Sequence, residues 1–481
     1  MDFIVTIGLI LLVISGCLVL WPKPNLPPGL PSWPIVGSLP YLDIKNLLEQ
    51  LLKLPRKYGD IMTIHMGSKP YIFLNSYDVI KEAFVAQKEY FSDRPDSLFV
   101  NMLGRVNGEY GMILARGDSR DHIRGIVAKA LNKTFNVGKT QFENNIMEEA
   151  HVLLDHLDEK TTEPYDMHWS LTMCTSNIVH VLNLGKRFAY DDQSFQEQLA
   201  GETELLEIFI KAQILDPFPL LRFLPGDIFG YKKCLANQTR RNEFFTKHLE
   251  EDQENDCLLK HWKEMAKEDP NSIETKRLIV MVYELYQASL HSTRSVLYIT
   301  LAYLLNNPDV QDKIHRLIDE NIGQDRQPTI ADRKQLQYID AVCYESLRLM
   351  PVGPMAVPHV CSKTTTLAGY TIPESTILIP NLYAVHHDPN TWPNPEKFDP
   401  SRFIDEEGKL QNHDKIIPFS MGKRVCPGEA VAKMSLFLVL TSLLQRYHFS
   451  VPPGESPPSL KVKLGLTLEL ETPYKVCITK R

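Results

Sequence analysis

The sequence contains no Cys-x-x-Cys pair, no excess of positive charge and no internal repeat. Its 8 cysteines are scattered, which argues against a structural zinc site or a thioredoxin-type redox pair. Lys and Arg number 52 against 59 Asp and Glu, so the net charge of -7 gives no support for a nucleic-acid-binding protein. The hydrophobic share of 43% and the charged share of 23% are near globular averages and exclude a disordered, collagenous or disulfide-scaffold protein.

Near the N-terminus, the segment Phe3–Leu20 contains neither a charge nor a proline. Its length is about the minimum for a helix that spans a bilayer, so residues 1–20 are predicted to form one transmembrane anchor. A cleaved signal peptide is the alternative, but the basic residues that normally precede such a segment are missing. Because basic residues follow the segment, beginning with Lys23, the rest of the chain is expected to face the cytosol.

Residues 21–40 are rich in proline, which favours a stiff extended hinge over a helix. A disordered spacer is the alternative, although Trp33, Ile35 and Val36 give this segment apolar side chains with which to dock. From residue 41 to residue 481 the composition does not change, and this favours a single large domain that is able to enclose a ligand.

Apolar residues at helical spacing dominate this domain, and strand-like alternation is short, so the fold class is predicted to be mainly α with small β-sheets. The predicted helices are Gln141–Leu157, Ile273–Leu305, Gln335–Leu349 and Gly428–Leu444. The predicted strands are Ile61–His65, Tyr71–Leu74, Ser375–Pro380 and Lys461–Leu470.

The segment FSMGKRVCPGEA places Cys426 in a turn directly before a predicted helix. Backbone N–H groups and the positive end of that helix would face the sulfur and favour a thiolate. Gly422 and Gly428 would let a flat ligand approach the backbone, and Arg424 would pair with an acidic group on that ligand. The remaining cysteines are expected to be inert thiols.

The spacing Phe419, Gly422, Arg424, Cys426, Gly428 resembles the haem-binding loop of the cytochrome P-450 family at every defining position. The resemblance implies the fold of that family, haem b as cofactor, Cys426 as its axial thiolate ligand and Arg424 as a partner of a haem propionate. Thiolate ligation favours cleavage of the O–O bond. The hydrophobic N-terminus, the proline hinge and the C-terminal LGLTLELETPYKVCI resemble the microsomal branch that handles xenobiotics and steroids.

Further positions match the family less specifically. Glu345 and Arg348 lie three residues apart on one helix face, and Arg402 in FDPSRF resembles the second arginine of a structural Glu–Arg–Arg cluster. Arg124 resembles a propionate-binding arginine, and Arg120, which stands where the family usually has tryptophan, is expected to join it on one propionate. His359 resembles a donor to the other propionate. A solvated basic face and a surface histidine are the alternatives for these last three.

The distal helix departs from the family pattern of Ala-Gly-x-acid-Thr-Thr, because this chain has Ala288-Ser289-Leu290-His291-Ser292-Thr293. By resemblance, Ser292 and His291 are the candidate catalytic residues that relay protons, and a histidine is able to do so near neutral pH. The alternative is that His291 faces solvent or another helix. The candidate pocket positions are Ala288, Ala356, Val357 and Leu466.

The resemblance implies a haem-thiolate monooxygenase of the endoplasmic reticulum membrane that acts on a small lipophilic substrate. Electrons would come from a separate NADPH-dependent flavoprotein reductase, with a b-type cytochrome as a second candidate partner, since the chain has no glycine-rich dinucleotide motif. Two alternatives stay open. One is an isomerase or dehydratase that acts on a lipid hydroperoxide or endoperoxide without NADPH, and the other is a non-catalytic haem- or lipid-binding protein.

Overall fold

In a computed structural model, the chain is described over residues 25–481 except 97, 99–100, 102–104, 107–108, 135–138, 252–254, 270–274 and 466. The predicted anchor, residues 1–20, and the pocket candidate Leu466 therefore lie outside the described residues. Within the described part, no helix combines the length and the apolarity that crossing a bilayer requires.

Helices form most of the described chain. The α-helices are α1 (Leu47–Tyr58), α2 (Tyr77–Lys81), α3 (Lys88–Phe91), α4 (Gly117–Asn132), α5 (Lys139–Asp158), α6 (His168–Leu184), α7 (Gln193–Ala212), α8 (Tyr231–Glu250), α9 (Leu258–Glu268), α10 (Thr275–Asn306), α11 (Pro308–Asn321), α12 (Gln337–Leu349), α13 (Leu382–His386) and α14 (Glu429–Arg446). Short 3-10 helices occupy Leu39–Tyr41, Gln213–Leu215, Pro219–Phe223, Ile330–Lys334, Pro400–Phe403 and Gly422–Arg424, and a π-helix occupies Glu82–Ala86.

The strands are short and form small sheets. They are β1 (Ile61–Met66), β2 (Lys69–Leu74), β3 (Arg105–Val106), β4 (Glu109–Tyr110), β5 (His359–Val360), β6 (Thr365–Leu367), β7 (Tyr370–Ile372), β8 (Ile377–Pro380), β9 (Tyr447–Ser450), β10 (Val462–Leu464), β11 (Leu468–Leu470) and β12 (Cys477–Lys480). The largest described sheet has the order β1-β2-β8-β5, in which β2 and β8 run parallel with Tyr71 opposite Ile377. The prediction of a mainly α fold with small sheets is confirmed.

Helix α10 forms the centre of the helical part and packs against α6, α8, α12 and α14. It ends where Asn307-Pro308 removes a backbone donor, and Pro308 then opens α11 at a position that tolerates proline. Nearly every residue from Leu290 to Leu305 is buried, so this stretch has no solvated face. A helix that is buried all round is a rigid platform for any group bound against it.

One helix start and one strand differ from the sequence predictions. The predicted helix Gln335–Leu349 begins at Gln337, because Ile330–Lys334 forms a separate 3-10 turn capped by Thr329. The predicted single strand Lys461–Leu470 is wrong: the chain reverses near Gly465 and makes the hairpin β10–β11, with Val462 opposite Leu470. The alternation of residue types continues through both arms and conceals the turn.

The described part of the proline-rich segment, residues 25–40, lies against strand β1. Thr63 donates its hydroxyl to Pro27 O at 2.8 Å, and Leu30 N–H donates to Thr63 O at 3.2 Å. A Cβ on Gly29 would lie 1.7 Å from Thr63 O, so only glycine allows this close approach. The segment is therefore held on the domain by backbone hydrogen bonds, in the manner of a docked hinge.

Candidate functional site

Cys426 sits at the apex of a loop that is hydrogen-bonded on both sides. Its N–H donates to Phe419 O at 2.9 Å, and Val425 N–H donates to Gly422 O at 3.1 Å across the 3-10 turn Gly422–Arg424. Gly428 then caps α14, which begins at Glu429. The loop and the helix start thus fix the sulfur against the rigid C-terminal helix.

The two loop glycines serve different purposes. Gly422 has φ +76, and a Cβ there would lie 2.0 Å from Phe84 O. The missing side chain of Gly422 therefore makes room for the backbone of the π-helix, whereas the sequence suggested that it makes room for a flat ligand. A Cβ on Gly428 would lie 3.9 Å from Cys426 Sγ. The missing side chain of Gly428 therefore leaves open the space beside the sulfur.

Cys426 is an exposed residue, yet burial by its surroundings raises the pKa of its thiol. The Gly428 N–H at the helix start and the charge of Arg124 lower this pKa and favour a thiolate, but burial outweighs them. A bound metal cation would add the positive charge that a thiolate needs. The other described cysteines are also free, and burial raises the pKa of Cys174, Cys234, Cys257, Cys343 and Cys361.

The distal helix has an exposed position just before its buried stretch, which begins at Leu290. Ala288 is exposed, while Tyr286 and Leu290 on either side are fully buried. The predicted pocket positions Ala356 and Val357 are half-buried and exposed, respectively. This pattern indicates that α10 borders an open space, since apolar side chains on a core helix are otherwise covered.

Three buried or half-buried guanidinium groups, those of Arg94, Arg124 and Arg424, gather near Cys426. Within the described residues, these guanidiniums donate to backbone carbonyls. Arg94 donates to Val357 O at 2.9 Å and to Pro358 O at 2.8 Å, and Arg124 donates to Val425 O at 2.7 Å. Arg424 donates to Ser92 O at 2.8 Å and also to Met112, Ile113 and Ala115.

This guanidinium cluster carries uncompensated positive charge. Burial, and then repulsion from Arg120 and Arg124, lowers the pKa of Arg424 to about 10, and the pKa of Arg94 is lowered for similar reasons. Two acids act on this cluster: Asp93, and Glu284 on α10, which accepts from Ile113 N–H at 2.7 Å and whose pKa burial raises to about 7. These two carboxyls, one of them partly protonated, do not balance three guanidiniums, so the cluster favours a bound anion.

The structure places Arg120 outside this set. Its Nε and Nη2 donate to the two carboxylate oxygens of Asp121, both at 2.8 Å, and Asp93 lies 4.0 Å from its Nη1. Asp121, one residue along the helix, thus pairs with Arg120, and the expectation that Arg120 and Arg124 share one propionate stays a prediction.

His359 is buried and lies against the same π-helix as Gly422. Its ring stacks on Phe84 with centroids 3.9 Å apart, and Nδ1 lies 2.6 Å from Phe91 O. A carbonyl only accepts, so Nδ1 carries the hydrogen, and Nε2 of the neutral ring is an acceptor. His359 would donate to a propionate only as the imidazolium, and burial, with Arg94 and Arg424, lowers its pKa.

The predicted structural cluster forms as expected. Arg348 Nε lies 2.7 Å from Glu345 Oε2 and Nη2 lies 2.8 Å from Oε1, while Arg402 Nε reaches Oε1 at 3.3 Å. The Glu345 and Arg348 side chains are fully buried. Arg348 also donates to His386 O at 2.9 Å, so the cluster ties α12 to α13 and to the turn that contains Arg402.

The two predicted relay residues lie in different surroundings. The Ser292 hydroxyl donates to Ala288 O at 2.8 Å, one turn back along α10, and its oxygen keeps a lone pair to accept. His291 is buried against Arg294, whose Nη2 lies 3.4 Å from His291 Nδ1. His291 therefore packs against polar groups of the core and does not face solvent.

A family model described as Cytochrome P450 matches residues 27–478. The chain belongs to the cytochrome P-450 family. It is 33% identical to cytochrome P450 2U1 from Homo sapiens over 95% of this chain and 90% of that protein. It is 32% identical to cytochrome P450 2H2 from Gallus gallus over 100% of both chains, and 32% identical to cytochrome P450 2C70 from Mus musculus over 94% of this chain and 93% of that protein.

Members of the cytochrome P-450 family bind haem b through a cysteine thiolate, and this chain is a haem-thiolate monooxygenase. The residues present fit that cofactor. Cys426 is exposed and would supply the thiolate, and the positive charge of the Arg94–Arg124–Arg424 cluster would favour the two propionates. The exposed Ala288 gives the distal helix a small apolar side chain at its surface.

Two residues of this cytochrome P-450 site escaped the sequence interpretation. Arg94 was missed because only the fold buries it and brings it to the carbonyls of Val357 and Pro358. Glu284 was missed because an acid on a helix is usually solvated, and only the fold brings it to the backbone N–H of Ile113, 171 residues away.

Proposed function

We propose that this protein is a membrane-bound monooxygenase of the endoplasmic reticulum, with its catalytic domain in the cytosol. It inserts one oxygen atom from O2 into a small lipophilic substrate, and its electrons come from an NADPH-dependent flavoprotein reductase. The observation that carries the proposal is the exposed Cys426 beside three guanidiniums whose positive charge exceeds the negative charge of the nearby carboxyls of Asp93 and Glu284.

Haem b, when bound, supplies thiolate-ligated iron at which O2 is activated. Cys426 would bind the iron, and the loop hydrogen bond from its N–H to Phe419 O holds the residue in place. Arg94, Arg124 and Arg424 would hold the propionates, and the backbone carbonyls to which they donate orient their side chains. The surrounding core keeps bulk water from these charges and strengthens their attraction to an anion.

On the distal side, Ala288 gives the substrate an apolar contact, and Ala356 and Val357 are further candidates for the pocket wall. Small apolar side chains at these positions favour a lipophilic substrate, because they offer shape without hydrogen-bond donors. Ser292 holds its hydroxyl hydrogen toward Ala288 O and presents its oxygen as an acceptor for a proton in transit.

An apolar face on the surface supports the membrane proposal. It comprises two sets of exposed side chains: Trp33, Ile35 and Ile44 from the N-terminal segment, and Leu220, Phe223, Leu224 and Ile228 after α7. The two sets lie near each other, since a Cβ on Gly67 would be 3.3 Å from Pro217 Cβ and 3.5 Å from Ile35 O. Contiguous exposed apolar side chains mark membrane or protein contacts.

Trp33 allows this membrane contact to be measured. In vesicles of brominated phosphatidylcholine, we expect the full-length protein to lose tryptophan emission, because bromine quenches only side chains within the acyl boundary. Trp33→Phe should remove part of the quenched emission, whereas Trp169→Phe, a control at a half-exposed position on α6, should leave it unchanged. Equal quenching in the wild type and in Trp33→Phe would argue against insertion of this face.

A surface beside Cys426 that contains Lys133, Lys423 and Lys433 is a candidate docking site for the reductase, with a b-type cytochrome as the second candidate partner. Its lysines are largely neutralised: Lys423 lies 3.0 Å from Glu89, Lys433 lies 2.6 Å from Glu429 and Lys133 lies 3.1 Å from Glu264. Arg424 is buried and does not belong to the surface. A docking surface there would depend on rearranged ion pairs and would weaken as salt rises.

The proposed reaction is tested with purified full-length protein, the reductase, NADPH and a panel of lauric acid, progesterone and ethoxycoumarin. We expect substrate-dependent NADPH consumption and a product that takes up one isotopically labelled oxygen atom from O2. Turnover of a lipid hydroperoxide without NADPH would contradict the proposal and favour an isomerase or dehydratase. Inactivity in both assays, despite a thiolate-type carbon monoxide spectrum, would indicate a binding protein.

A further inference from the structure

A polar cleft of about 150 Å³ lies between the start of α6, helix α10 and the hairpin β10–β11. Acidic and basic side chains line it together, contributed by Asp166, His168, Arg294, Lys463 and Glu469. No described residue of the Cys426 loop or of the guanidinium cluster belongs to this lining. A cleft lined by charges of both signs suits a small polar solute, since lipophilic ligands bind in mainly apolar pockets.

The fixed charges of the cleft cancel. Arg294 is 3% exposed, and its Nη2 lies 2.5 Å from Glu469 Oε1, so these two form a nearly buried ion pair. Arg294 Nη1 lies 2.5 Å from His168 Nε2, which must accept, and burial together with the charge of Arg294 lowers the pKa of His168 to about 4. His168 is therefore neutral at pH 7. Asp166 and Lys463, which form no salt bridge within the described part of the chain, add one charge of each sign.

Two polar groups of the lining are left without a hydrogen bond. Arg294 Nε and Ser295 Oγ are buried, and neither has a partner among the described residues. A serine within a helix often donates to the carbonyl four residues back, as Ser292 does, whereas Ser295 does not. A buried donor without an acceptor costs free energy, which an oxygen atom of a ligand would recover. This end of the cleft therefore favours a ligand that carries an acceptor.

The other end of the cleft favours a donor. Asp166 is half-buried, and its Oδ1 accepts from His168 N–H at 2.9 Å and lies 3.2 Å from the Tyr298 hydroxyl. Its Oδ2 has no donor within the described residues and is placed to accept from a cation. Tyr298 follows Arg294 by four residues on α10, so about one helical turn, or about 5.4 Å, separates the two ends.

We propose that this cleft binds a small zwitterion of the α-amino acid class, with its ammonium on Asp166 and its carboxylate on Arg294 and Ser295. Lys463, on the exposed rim, adds attraction to the carboxylate. Because the fixed charges cancel, a ligand that brings one charge of each sign leaves none uncompensated. Only two bonds separate the nitrogen and the carboxyl carbon of an α-amino acid, which suits the short distance between the ends. Binding there needs no turnover, so it is independent of the proposed function.

The test is equilibrium dialysis of the haem-loaded, full-length protein against isotope-labelled glycine. We expect saturable binding of one glycine per chain. Acetate and methylammonium, which each carry only one of the two charges, should bind about tenfold more weakly or less, because each forgoes a charged hydrogen bond. The Soret band of the haem should stay unchanged, which distinguishes this site from coordination of the amine to iron.

Two variants locate the binding. Asp166→Asn keeps an oxygen that accepts from His168 N–H, and Ser295→Ala removes a hydroxyl without a partner, so both chains should fold. Each should weaken glycine binding by about tenfold or more, whereas the control Glu471→Gln, at an exposed position next to β11, should keep the wild-type affinity. Absence of saturable glycine binding in the wild type, or equal affinity in all three variants, would overturn the proposal. Acetate that binds as tightly as glycine would show an anion site and would also contradict it.

Discussion

Replacement of Cys426 by alanine is expected to abolish the thiolate-type carbon monoxide spectrum and all NADPH-dependent product formation. Cys426 is the exposed residue at the apex of the loop that backbone hydrogen bonds hold. None of the other described cysteines lies in this loop, so none is placed to substitute for it. Activation of O2 at the iron requires electron density from the thiolate, so no partial activity should remain. The measurement is the difference spectrum of the reduced, carbon monoxide-treated protein, together with product analysis.

The matched control for this change is Cys477→Ala, at a half-buried cysteine on β12. This variant should keep the wild-type spectrum, which shows that losing a thiol elsewhere has no effect. A thiolate-type spectrum in Cys426→Ala would refute the proposed ligand. Loss of all bound haem in Cys426→Ala, with retained secondary structure by circular dichroism, would agree with it.

Glu345→Gln is expected to destabilise the protein by about 3–5 kcal/mol, because it leaves Arg348 as a fully buried charge without its carboxylate. Arg402 and the N–H of Asp399 lose the same charged acceptor. The measurement is urea unfolding of the haem-loaded protein, followed by circular dichroism and by the haem spectrum. Both probes should shift to lower urea together, since the cluster braces the core that surrounds the cofactor.

An exposed ion pair on a helix gives the control. Glu49→Gln removes the partner of Lys53 on α1, where both side chains are more than half exposed, and should cost less than about 1 kcal/mol. Equal stability of Glu345→Gln and Glu49→Gln would refute a structural role for the buried cluster. A large loss of activity without a change in unfolding would instead assign Glu345 to the chemistry.

The parts of the site that sequence interpretation found depend on short-range spacing. The loop around Cys426 and the pair Glu345–Arg348 are each contained within about ten residues, so local geometry nearly determines them. The same logic did not show that Asp121 pairs with Arg120. It also failed for the hairpin β10–β11, where the alternating pattern runs through the turn.

The parts that sequence interpretation missed depend on contacts between distant segments. Arg294 meets Glu469 across 175 residues, and Arg94 meets Pro358 across 264. Nothing in the spacing of either residue distinguishes it from a solvated surface charge. Burial creates the functional character of these side chains, and only the folded chain shows which ones are buried.

The guanidinium cluster of Arg94, Arg124 and Arg424 has a consequence for the life of the protein in the cell. Without a bound anion, the burial and mutual repulsion of these charges lower the stability of the folded state. A ligand that binds only the folded state stabilises it in proportion to the logarithm of its free concentration. The supply of haem should therefore govern how long newly made chains escape proteolysis, so that abundance follows the availability of the cofactor even at constant synthesis.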